Sequence, residues 1–351
     1  MNTKSTNLII GKLESGKTRG IMFKEVEKLI EDEKSLFIVD NKEEYYPRFK
    51  GILEQNGYDV YLINLRNPQQ SNGFDLLAYP YYLYQNNKDI AVQLVISLAK
   101  SICFDENKMD SFWENSAADY LAGMILTLFE KGNLEEINLK NIALLVNYID
   151  DEDGIKVMKE YFKSIDVSDI IYKLVSSTLF APTETRGGIM STLKMKINLF
   201  LSRDSILNVL SLDELKIKQM NKKTAIFFEG KGYTNIMVNT IIEQLLNYNK
   251  EKKIECAYIL EDINILPNIL EVNELIEYAS FNKLKSYFIT NNLEELKQKY
   301  GEFLIDKITN VIHIEEIVNL EIDSSLLSVT YPEVKDANIK LIDPASIYRN
   351  N

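Results

Sequence analysis

The chain has 351 residues, of which 46% are hydrophobic, and its formal net charge is −12. This length predicts about two domains, and the acidic balance argues against a protein whose whole surface binds DNA or anionic lipid. Two distant cysteines and one histidine exclude a disulfide framework and a Cys/His zinc site, which favours a reducing cytoplasm. No apolar run reaches the length of about 18 residues that a membrane span needs, so neither a span nor an N-terminal anchor is expected.

Seven short apolar runs, rich in β-branched and aromatic residues, predict the strands of one sheet. In chain order they cover residues 7–10, 35–39, 59–63, 224–228, 256–260, 286–290 and 310–314. Continuous hydrophobicity is typical of parallel strands that are buried on both faces. Helical patterns over 18–32 and 43–56 connect the first three runs, as in βαβ units. The sequence therefore predicts an α/β fold with a mostly parallel central sheet flanked by helices.

The segment that follows the first predicted strand fits the phosphate-binding pattern G-x-x-x-x-G-K-[ST]. Its eight residues, all candidates for nucleotide binding, are Gly11, Lys12, Leu13, Glu14, Ser15, Gly16, Lys17 and Thr18. In such a P-loop, backbone N–H groups and the start of the next helix surround a phosphate. Lys17 would reach the β- and γ-phosphates, and the Thr18 hydroxyl would bind Mg²⁺. Glu14 is unusual, because a carboxylate in the loop would weaken nucleotide binding.

Between residues 81 and 215 the hydrophobic pattern changes to a period of 3.6 residues, and no strand pattern is present. Helices are predicted at 90–102, 112–131, 139–148, 154–164, 170–180 and 188–201. We therefore expect an all-α insertion at 81–215 between two parts of a nucleotide-binding domain, 1–80 and 216–318. A C-terminal tail would occupy 319–351.

Carboxylates end two of the predicted strands. Glu261 and Asp262 follow the strand at 256–260, and Asp40 follows the strand at 35–39. A P-loop ATPase needs a strand-end carboxylate to hold the Mg²⁺ shell, and a second one can orient the attacking water. Glu261 and Asp262 are thus candidates for catalysis and, with Thr18, for Mg²⁺ binding. The alternative for each of these carboxylates is a solvated position in a loop.

Six further segments occur in an order that is itself informative. They are FIVDNKEEYY at 37–46, GYDVYLINLRNPQQSNGFDLLAY at 57–79, FWENSAADYLAGMILTLFE at 112–130, TETRGGIMSTLKMKINLF at 183–200, AYILEDINILPNILEVNELIEYA at 257–279 and FITNNLEELKQKYGE at 288–302. Together with the P-loop they resemble the type IV secretion coupling ATPases, the TraG/TraD-like conjugation proteins of the FtsK–HerA class. In that family the segment at 257–279 would be the Walker B region, and Asn291 would stand at the sensor position.

This resemblance implies a RecA/FtsK-like P-loop NTPase that uses ATP and Mg²⁺ and assembles as a homo-hexamer. Such proteins act at the cytoplasmic face of the membrane. They receive a relaxase–DNA complex, or a protein substrate, and deliver it to a type IV secretion channel. Because this chain shows no membrane span, it would need a membrane-anchored partner.

The chain departs from the family pattern at positions that bear on catalysis. Glu261-Asp262 reverses the family's Asp-Glu order, Asn291 replaces a glutamine, and an arginine usual in the region 278–285 is missing. Displacing a carboxylate by about one methylene can cost two orders of magnitude in rate. Arg186 is a possible trans-acting arginine at a subunit interface, although it could equally cap a helix.

Three functions remain open from the sequence. The first is a coupling-type ATPase, and the second is a catalytically weak or inactive adaptor that recruits substrate without turnover. A P-loop kinase or small nucleotidase is the third, but the long helical insertion and the late Walker B site argue against it.

Overall fold

The computed structural model describes residues 6–103, 111–232, 237–266, 272–282, 284–308, 310–314, 329–337 and 339–348. The chain divides into two compact units. The sheet unit comprises the residues up to 72 together with 217–334, and the helical unit comprises 73–216 together with 335–351.

Seven strands form one sheet in the sheet unit. They are β1 Thr6–Gly11, β2 Ser35–Val39, β3 Asp59–Asn64, β4 Thr224–Glu229, β5 Cys256–Leu260, β6 Ser286–Thr290 and β7 Asn310–Ile314. Their order in space is β3-β4-β2-β5-β6-β1-β7, and every described pair of neighbours is parallel. The predicted α/β fold with a parallel central sheet is therefore confirmed.

Burial explains why the strand sequences read as continuous apolar runs. Every residue of β2, β4, β5 and β6 is buried, because these strands lie inside the sheet with neighbours on both sides. The edge strand β7 alternates instead between half-buried and exposed residues. Its His313 is exposed and lies opposite Ile10 of β1.

Helices connect the strands and fill the long insertion. In chain order they are α1 Phe23–Glu31, α2 Tyr45–Gln55, α3 Ala78–Asn86, α4 Lys88–Cys103, α5 Phe112–Lys131, α6 Leu139–Tyr148, α7 Glu152–Ser164, α8 Ile170–Leu179, α9 Thr183–Leu201, α10 Asp204–Val209, α11 Met237–Lys252, α12 Val272–Phe281, α13 Leu293–Tyr300, α14 Glu302–Lys307 and α15 Pro344–Ile347. A π-helical turn, Lys17–Met22, leads into α1, and short 3₁₀ turns cover Pro68–Gln70, Leu134–Glu136 and Ile217–Gln219. No described helix is both long and apolar enough to cross a bilayer.

Helices cover both faces of the sheet. On one face, apolar residues of α1 and α2 join those of the strands in a single core cluster, which includes Val26, Phe49 and Ile38. On the other face, the Tyr258 hydroxyl accepts a hydrogen bond from Asn249 of α11 at 3.1 Å. The Tyr258 ring also lies 6.4 Å from Tyr278 of α12. Burying each large apolar side chain contributes about 1.5–3 kcal/mol, so this double covering holds the sheet rigid.

The parallel arrangement brings the carboxyl ends of the strands to one edge of the sheet. The P-loop follows β1 there, Asp40 follows β2, and Glu261 follows β5. Strand β6 lies between β1 and β5, so its end, at Thr290, lies between the P-loop and the carboxylates. This edge is where ligands of parallel α/β sheets usually bind.

A further carboxylate, Glu229, lies at the end of β4 and is 1% exposed. Its Oε2 accepts a hydrogen bond from Asn64 Nδ2 at 2.5 Å, while its Oε1 has no hydrogen-bond partner within the described ranges. Burial, with the negative charges of Asp40 and Glu43 nearby, raises the pKa of Glu229 to about 8. The carboxyl group is therefore largely protonated in the folded protein below pH 8.

The helical unit is organised around α5, which packs against α4, α8 and α9. Gly123 of α5 makes the contact with α8 possible, because a Cβ at that position would lie 2.3 Å from Val175 Cγ2. Such close approach leaves no room for a methyl group. The glycine is thus explained by packing rather than by backbone conformation.

Residues near the C-terminus also belong to the helical unit. The Asn141 side chain donates to the carbonyl of Lys340 at 2.8 Å and accepts from the N–H of Ile342 at 3.1 Å. Tyr348 is 3% exposed and stacks on Tyr148 with ring centroids 5.9 Å apart. Of the tail predicted at 319–351, residues 319–328 lie outside the described ranges.

Replacing Gly123 by alanine should lower the free energy of unfolding by about 1–3 kcal/mol, because the new methyl group would clash with Val175. Gly187→Ala is the matched control, since Gly187 lies exposed in α9 with no atom within 4 Å of a Cβ there. It should raise the free energy by about 0.5–1 kcal/mol through helix propensity. Denaturant unfolding followed by circular dichroism measures both, and equal effects would contradict the packing argument.

The pKa of Glu229 predicts a pH dependence of stability. Since the folded pKa lies above the unfolded value of 4.5, the unfolded chain loses this proton first as pH rises. The contribution of Glu229 to the free energy of unfolding is fully present below pH 4.5 and is lost as pH rises through 8. Glu229→Gln should therefore gain stability relative to the wild type from pH 5 to 8, by up to about 1.4 kcal/mol per pH unit.

The control for this measurement is Glu31→Gln, a substitution of an exposed residue at the end of α1. Its difference from the wild type should not change with pH over the same range. A constant difference for Glu229→Gln as well would show that Glu229 is ionised in the folded protein.

Candidate nucleotide-binding site

The residues after β1 form a tight turn that leads directly into a helix, as the motif predicts. The N–H of Ser15 donates to the carbonyl of Lys12 at 3.2 Å, and the backbone has positive φ at Glu14 (61°) and Gly16 (85°). Gly11 is required for space, since a Cβ there would lie 2.7 Å from Ser15 Oγ. Gly11 thus avoids a steric clash, whereas Gly16 permits a positive φ.

Lys17 lies inside the turn and is 3% exposed. Its ammonium group donates to the carbonyls of Gly11, at 2.6 Å, and Lys12, at 2.8 Å. Burial lowers the pKa of Lys17, and the positive charge of Lys42 lowers it further. Phosphate oxygens are stronger acceptors for this cation than carbonyls, so the turn fits a phosphate group.

The residues Lys12, Leu13 and Glu14 lie on the outside of the turn and are exposed. The carboxylate of Glu14 is thus in contact with solvent, which screens its charge. Glu14 nevertheless adopts a backbone conformation that favours glycine. Whether it weakens nucleotide binding stays a prediction.

Glu261 is fully buried beside the P-loop. Its Oε1 accepts hydrogen bonds from Thr18 Oγ1 at 2.8 Å and from Lys42 Nζ at 3.2 Å. Its Oε2 accepts from the hydroxyl of Tyr45, the first residue of α2, at 2.8 Å. The structure therefore brings together two residues that the sequence predicted, Thr18 and Glu261, and adds two that it did not.

Asp262 is 7% exposed and, like Glu14, has a positive φ, of 50°. Its Oδ2 lies 3.7 Å from Lys42 Nζ, whereas its Oδ1 has no hydrogen-bond partner among the residues that the structure describes. A buried carboxylate oxygen without a donor is costly, and such atoms are often ligands of an ion or water. Burial alone would lower the pKa of Lys42, but Glu261 and Asp262 outweigh it and raise that pKa.

The oxygens of Thr18, Glu261 and Asp262 are the kind of donors that Mg²⁺ prefers. Within the described ranges no three His, Cys, Asp or Glu side chains converge into a metal cage. Mg²⁺ in nucleotide sites usually takes only one or two carboxylates, with the phosphates and water completing its shell. The carboxylate pair beside Thr18 therefore fits this metal.

Asn291 follows β6 and so lies at the same edge of the sheet. Its Oδ1 accepts a hydrogen bond from Asn264 Nδ2 at 3.3 Å, and Asn264 Oδ1 accepts one from Thr290 Oγ1 at 3.1 Å. Asn291 is thereby connected to the segment that follows Asp262. Its catalytic role stays a prediction.

Asp40 has a structural explanation. Its two carboxylate oxygens accept three backbone hydrogen bonds at the start of α2, from the N–H groups of Glu44, Tyr45 and Tyr46, at 2.8–3.0 Å. Burial raises the pKa of Asp40 to about 6 despite these bonds. The residue therefore fixes the loop that carries Lys42.

Arg186 lies in the helical unit, at the beginning of α9. Its guanidinium group donates to the carbonyl of Ala181 at 3.0 Å, so it ties down the entry to that helix. This contact is the capping role that the sequence also allowed. A role as a trans-acting arginine stays a prediction.

Lys42, Tyr45 and Glu229 were missed by the sequence reasoning. A signal existed for Glu229, which ends an apolar strand as Asp40 and Glu261 do. Lys42 and Tyr45 lie in the segment 37–46 that resembles the family, but no pattern predicts their contact with Glu261, which arises through the pairing of β2 with β5.

Three solved structures of the conjugative coupling protein TrwB share this fold. The trigonal form of bacterial TrwBdeltaN70 with sulphate has a TM-score of 0.60 and 11% identity, covering 90% of this chain and 71% of that chain. TrwB in complex with ADP and Mg²⁺ has a TM-score of 0.58 and 11% identity, covering 88% and 68%. TrwB with the non-hydrolysable ATP analogue ADPNP has a TM-score of 0.57 and 11% identity, covering 87% and 68%.

At this identity the likeness establishes the P-loop NTPase fold of the coupling proteins and no shared activity. No curated protein sequence is significantly similar to the chain. The family described as "Type IV secretory system Conjugative DNA transfer" matches residues 5–311, which is most of the 351 residues. The chain therefore belongs to the type IV secretory system conjugative DNA transfer family.

Proposed function

We propose that this chain is a coupling-type ATPase that binds ATP and Mg²⁺ at its P-loop. The observation that carries the proposal is the 2.8 Å hydrogen bond from Thr18 Oγ1 to Glu261 Oε1. These residues are 243 positions apart, yet they place the end of the P-loop against the carboxylate of the Walker B strand. The two halves of the proposed ATPase site thus lie together in one unit.

The residues of the site have separable roles in the proposed reaction. The backbone N–H groups of the loop and the ammonium of Lys17 would hold the phosphates. Thr18 and Glu261 would hold Mg²⁺, which when bound neutralises charge on the β- and γ-phosphates. Asn291 would help to position the water that attacks the γ-phosphate.

The two carboxylates differ in their hydrogen-bond partners, and this difference supports a different role for each. Glu261 has donors on both oxygens, whereas one oxygen of Asp262 has no hydrogen-bond partner in the described part of the chain. We assign Asp262 to orienting the attacking water and Glu261 to the metal. The order of roles along the chain is then that of the family, with the longer and shorter side chains exchanged.

The comparisons support ATP and Mg²⁺ as ligands. TrwB has been solved in complex with ADP and Mg²⁺ and in complex with ADPNP. Membership of the conjugative DNA transfer family supports a place in DNA export. We extend this to delivery of a relaxase–DNA or protein substrate to a type IV secretion channel. The active form would be a homo-hexamer at the cytoplasmic face of the membrane, held by a membrane-anchored partner.

A catalytically weak adaptor is the second candidate, and specific contacts favour it. Lys42 lies against both carboxylates, and the described hydrogen bond of the Asn291 side chain is with Asn264 and not with Glu261 or Asp262. In this variant of the proposal the nucleotide would be bound but turned over slowly or not at all. The helical unit would still recruit substrate, and Arg186 could complete the site of a neighbouring subunit.

Lys17→Ala should weaken the binding of Mg-ATP by at least about tenfold, because it removes the cation that contacts the phosphates. Equilibrium binding of a fluorescent ATP analogue measures this. Lys24→Ala is the matched control, since Lys24 is an exposed lysine on α1 outside the motif, and it should bind like the wild type. Unchanged affinity in Lys17→Ala would rule out the P-loop as the nucleotide site.

Asp262→Asn should reduce steady-state ATP hydrolysis by about two orders of magnitude, as expected when the group that orients or activates the nucleophile is lost. Its affinity for Mg-ATP should change little. Phosphate release measures the rate, and Glu277→Gln, a substitution of an exposed residue on α12, serves as control. A wild type that binds Mg-ATP without releasing phosphate would favour the adaptor.

A further inference from the structure

Lys42 is a cation in contact with both carboxylates of the site, although no part of the P-loop motif includes it. Its Nζ lies 3.2 Å from Glu261 Oε1 and 3.7 Å from Asp262 Oδ2. Thr18 Oγ1 lies 2.8 Å from the same oxygen of Glu261. An ammonium group therefore lies against the oxygens to which the proposed function assigns a divalent metal.

The loop that carries Lys42, residues 40–44 between β2 and α2, is held on several sides. Its contacts join Asn41 Nδ2 to the carbonyl of Glu261 at 2.9 Å, Glu43 Oε1 to Arg66 Nη1 at 2.7 Å, and Glu44 Oε1 to Arg19 Nη2 at 2.8 Å. Arg19 directly follows Thr18, so the loop is also tied to the P-loop helix. These contacts hold the loop in a conformation in which the Lys42 ammonium group lies against the two carboxylates.

Charge explains why a lysine is needed at this position. Glu261 is fully buried and Asp262 is 7% exposed, and two adjacent buried carboxylates repel each other unless a cation lies between them. Lys17 is close by, but its ammonium group donates to carbonyls of the P-loop. Lys42 supplies the missing positive charge.

The Lys42 ammonium group is also able to move away from the two carboxylates. Its side chain is 34% exposed and has a flexible four-carbon stem, so the ammonium group can move into solvent without disturbing the sheet. A divalent cation and an ammonium group cannot both occupy the same carboxylate oxygens, because like charges at that distance repel strongly.

We propose that Lys42 is an internal counterion that competes with a divalent metal for Glu261 and Asp262. It is a positioning residue of the nucleotide site. It keeps the carboxylates in place before the metal binds, and it is displaced when the metal binds. The identity of the metal as Mg²⁺ delivered with ATP rests on the proposed function. Displacement of Lys42 would release one of the contacts that hold the loop at 40–44, so the start of α2 would respond to loading of the site.

The test is the affinity of the full chain for Mn²⁺ alone, measured from the free-ion signal in electron paramagnetic resonance. Lys42→Met should bind Mn²⁺ tighter than the wild type by about tenfold or more, because the metal no longer displaces a charge. Lys42→Arg restores the charge and should return the affinity to the wild-type level. Lys50→Met is the control, since Lys50 lies on α2 and its described ion pair is with the half-exposed Glu54.

A second measurement separates competition from a merely structural role. Without metal, the unfolding midpoint of Lys42→Met should lie below that of the wild type, since the carboxylates lose their counterion. Addition of Mn²⁺ should raise the midpoint of the variant more than that of the wild type. If Lys42→Met does not fold, Lys42→Gln replaces it with the same expected results.

Equal or weaker Mn²⁺ affinity in the charge-removing variants would overturn the proposal, as would an absence of Mn²⁺ binding in all of them. The result does not depend on ATP. A wild type that fails to bind ATP contradicts the proposed function, whereas the comparison of Mn²⁺ affinities still decides the role of Lys42.

Discussion

The buried charge of Glu261 is the constraint on which the carboxyl edge of the sheet depends. A carboxylate with no exposure is tolerated only where strong donors surround it. Thr18, Lys42 and Tyr45 supply those donors, and they come from the P-loop helix, the loop after β2 and the first turn of α2. One side chain thereby joins three segments that are distant in sequence. The geometry of the site follows from the need to supply hydrogen-bond donors to this carboxylate.

The same set of contacts serves stability and chemistry at once. Each donor to Glu261 that stabilises the fold is also a group that a metal would have to share or displace. Asp262 differs, because its Oδ1 is buried without a hydrogen-bond partner among the described residues and its backbone has positive φ. Each feature also occurs elsewhere in the chain, as at Ser286 Oγ and at Glu33, but at Asp262 the two coincide at the carboxyl edge of the sheet, as is typical of places where function sets the structure.

The sequence was sufficient for the features that are local. Strand positions followed from apolar runs, the P-loop from its glycines, Lys17 and Thr18, and the location of Glu261 and Asp262 from their place after a strand. It was insufficient for features that arise from pairing across the sheet. Lys42 and Tyr45 belong to a segment that resembles the family, but their contacts with Glu261 arise only when β2 pairs with β5, and no periodicity specifies that pair. Likewise, nothing in the pattern of residues 339–348 indicates that they pack in the helical unit.

The position of β1 has a consequence for how the protein acquires its site. Among the described strands β1 is the earliest in sequence, yet its two neighbours, β6 and β7, are the two latest, and Gly11 lies opposite Ile314. A carbonyl of that final strand, the one of Ile314, is among the atoms that crowd Gly11 and shape the beginning of the P-loop. Contacts of such long sequence separation form slowly, because a very large loop must close before they contribute. During synthesis the P-loop segment therefore leaves the ribosome well before β6 and β7, and β1 pairs with them only after both have been made.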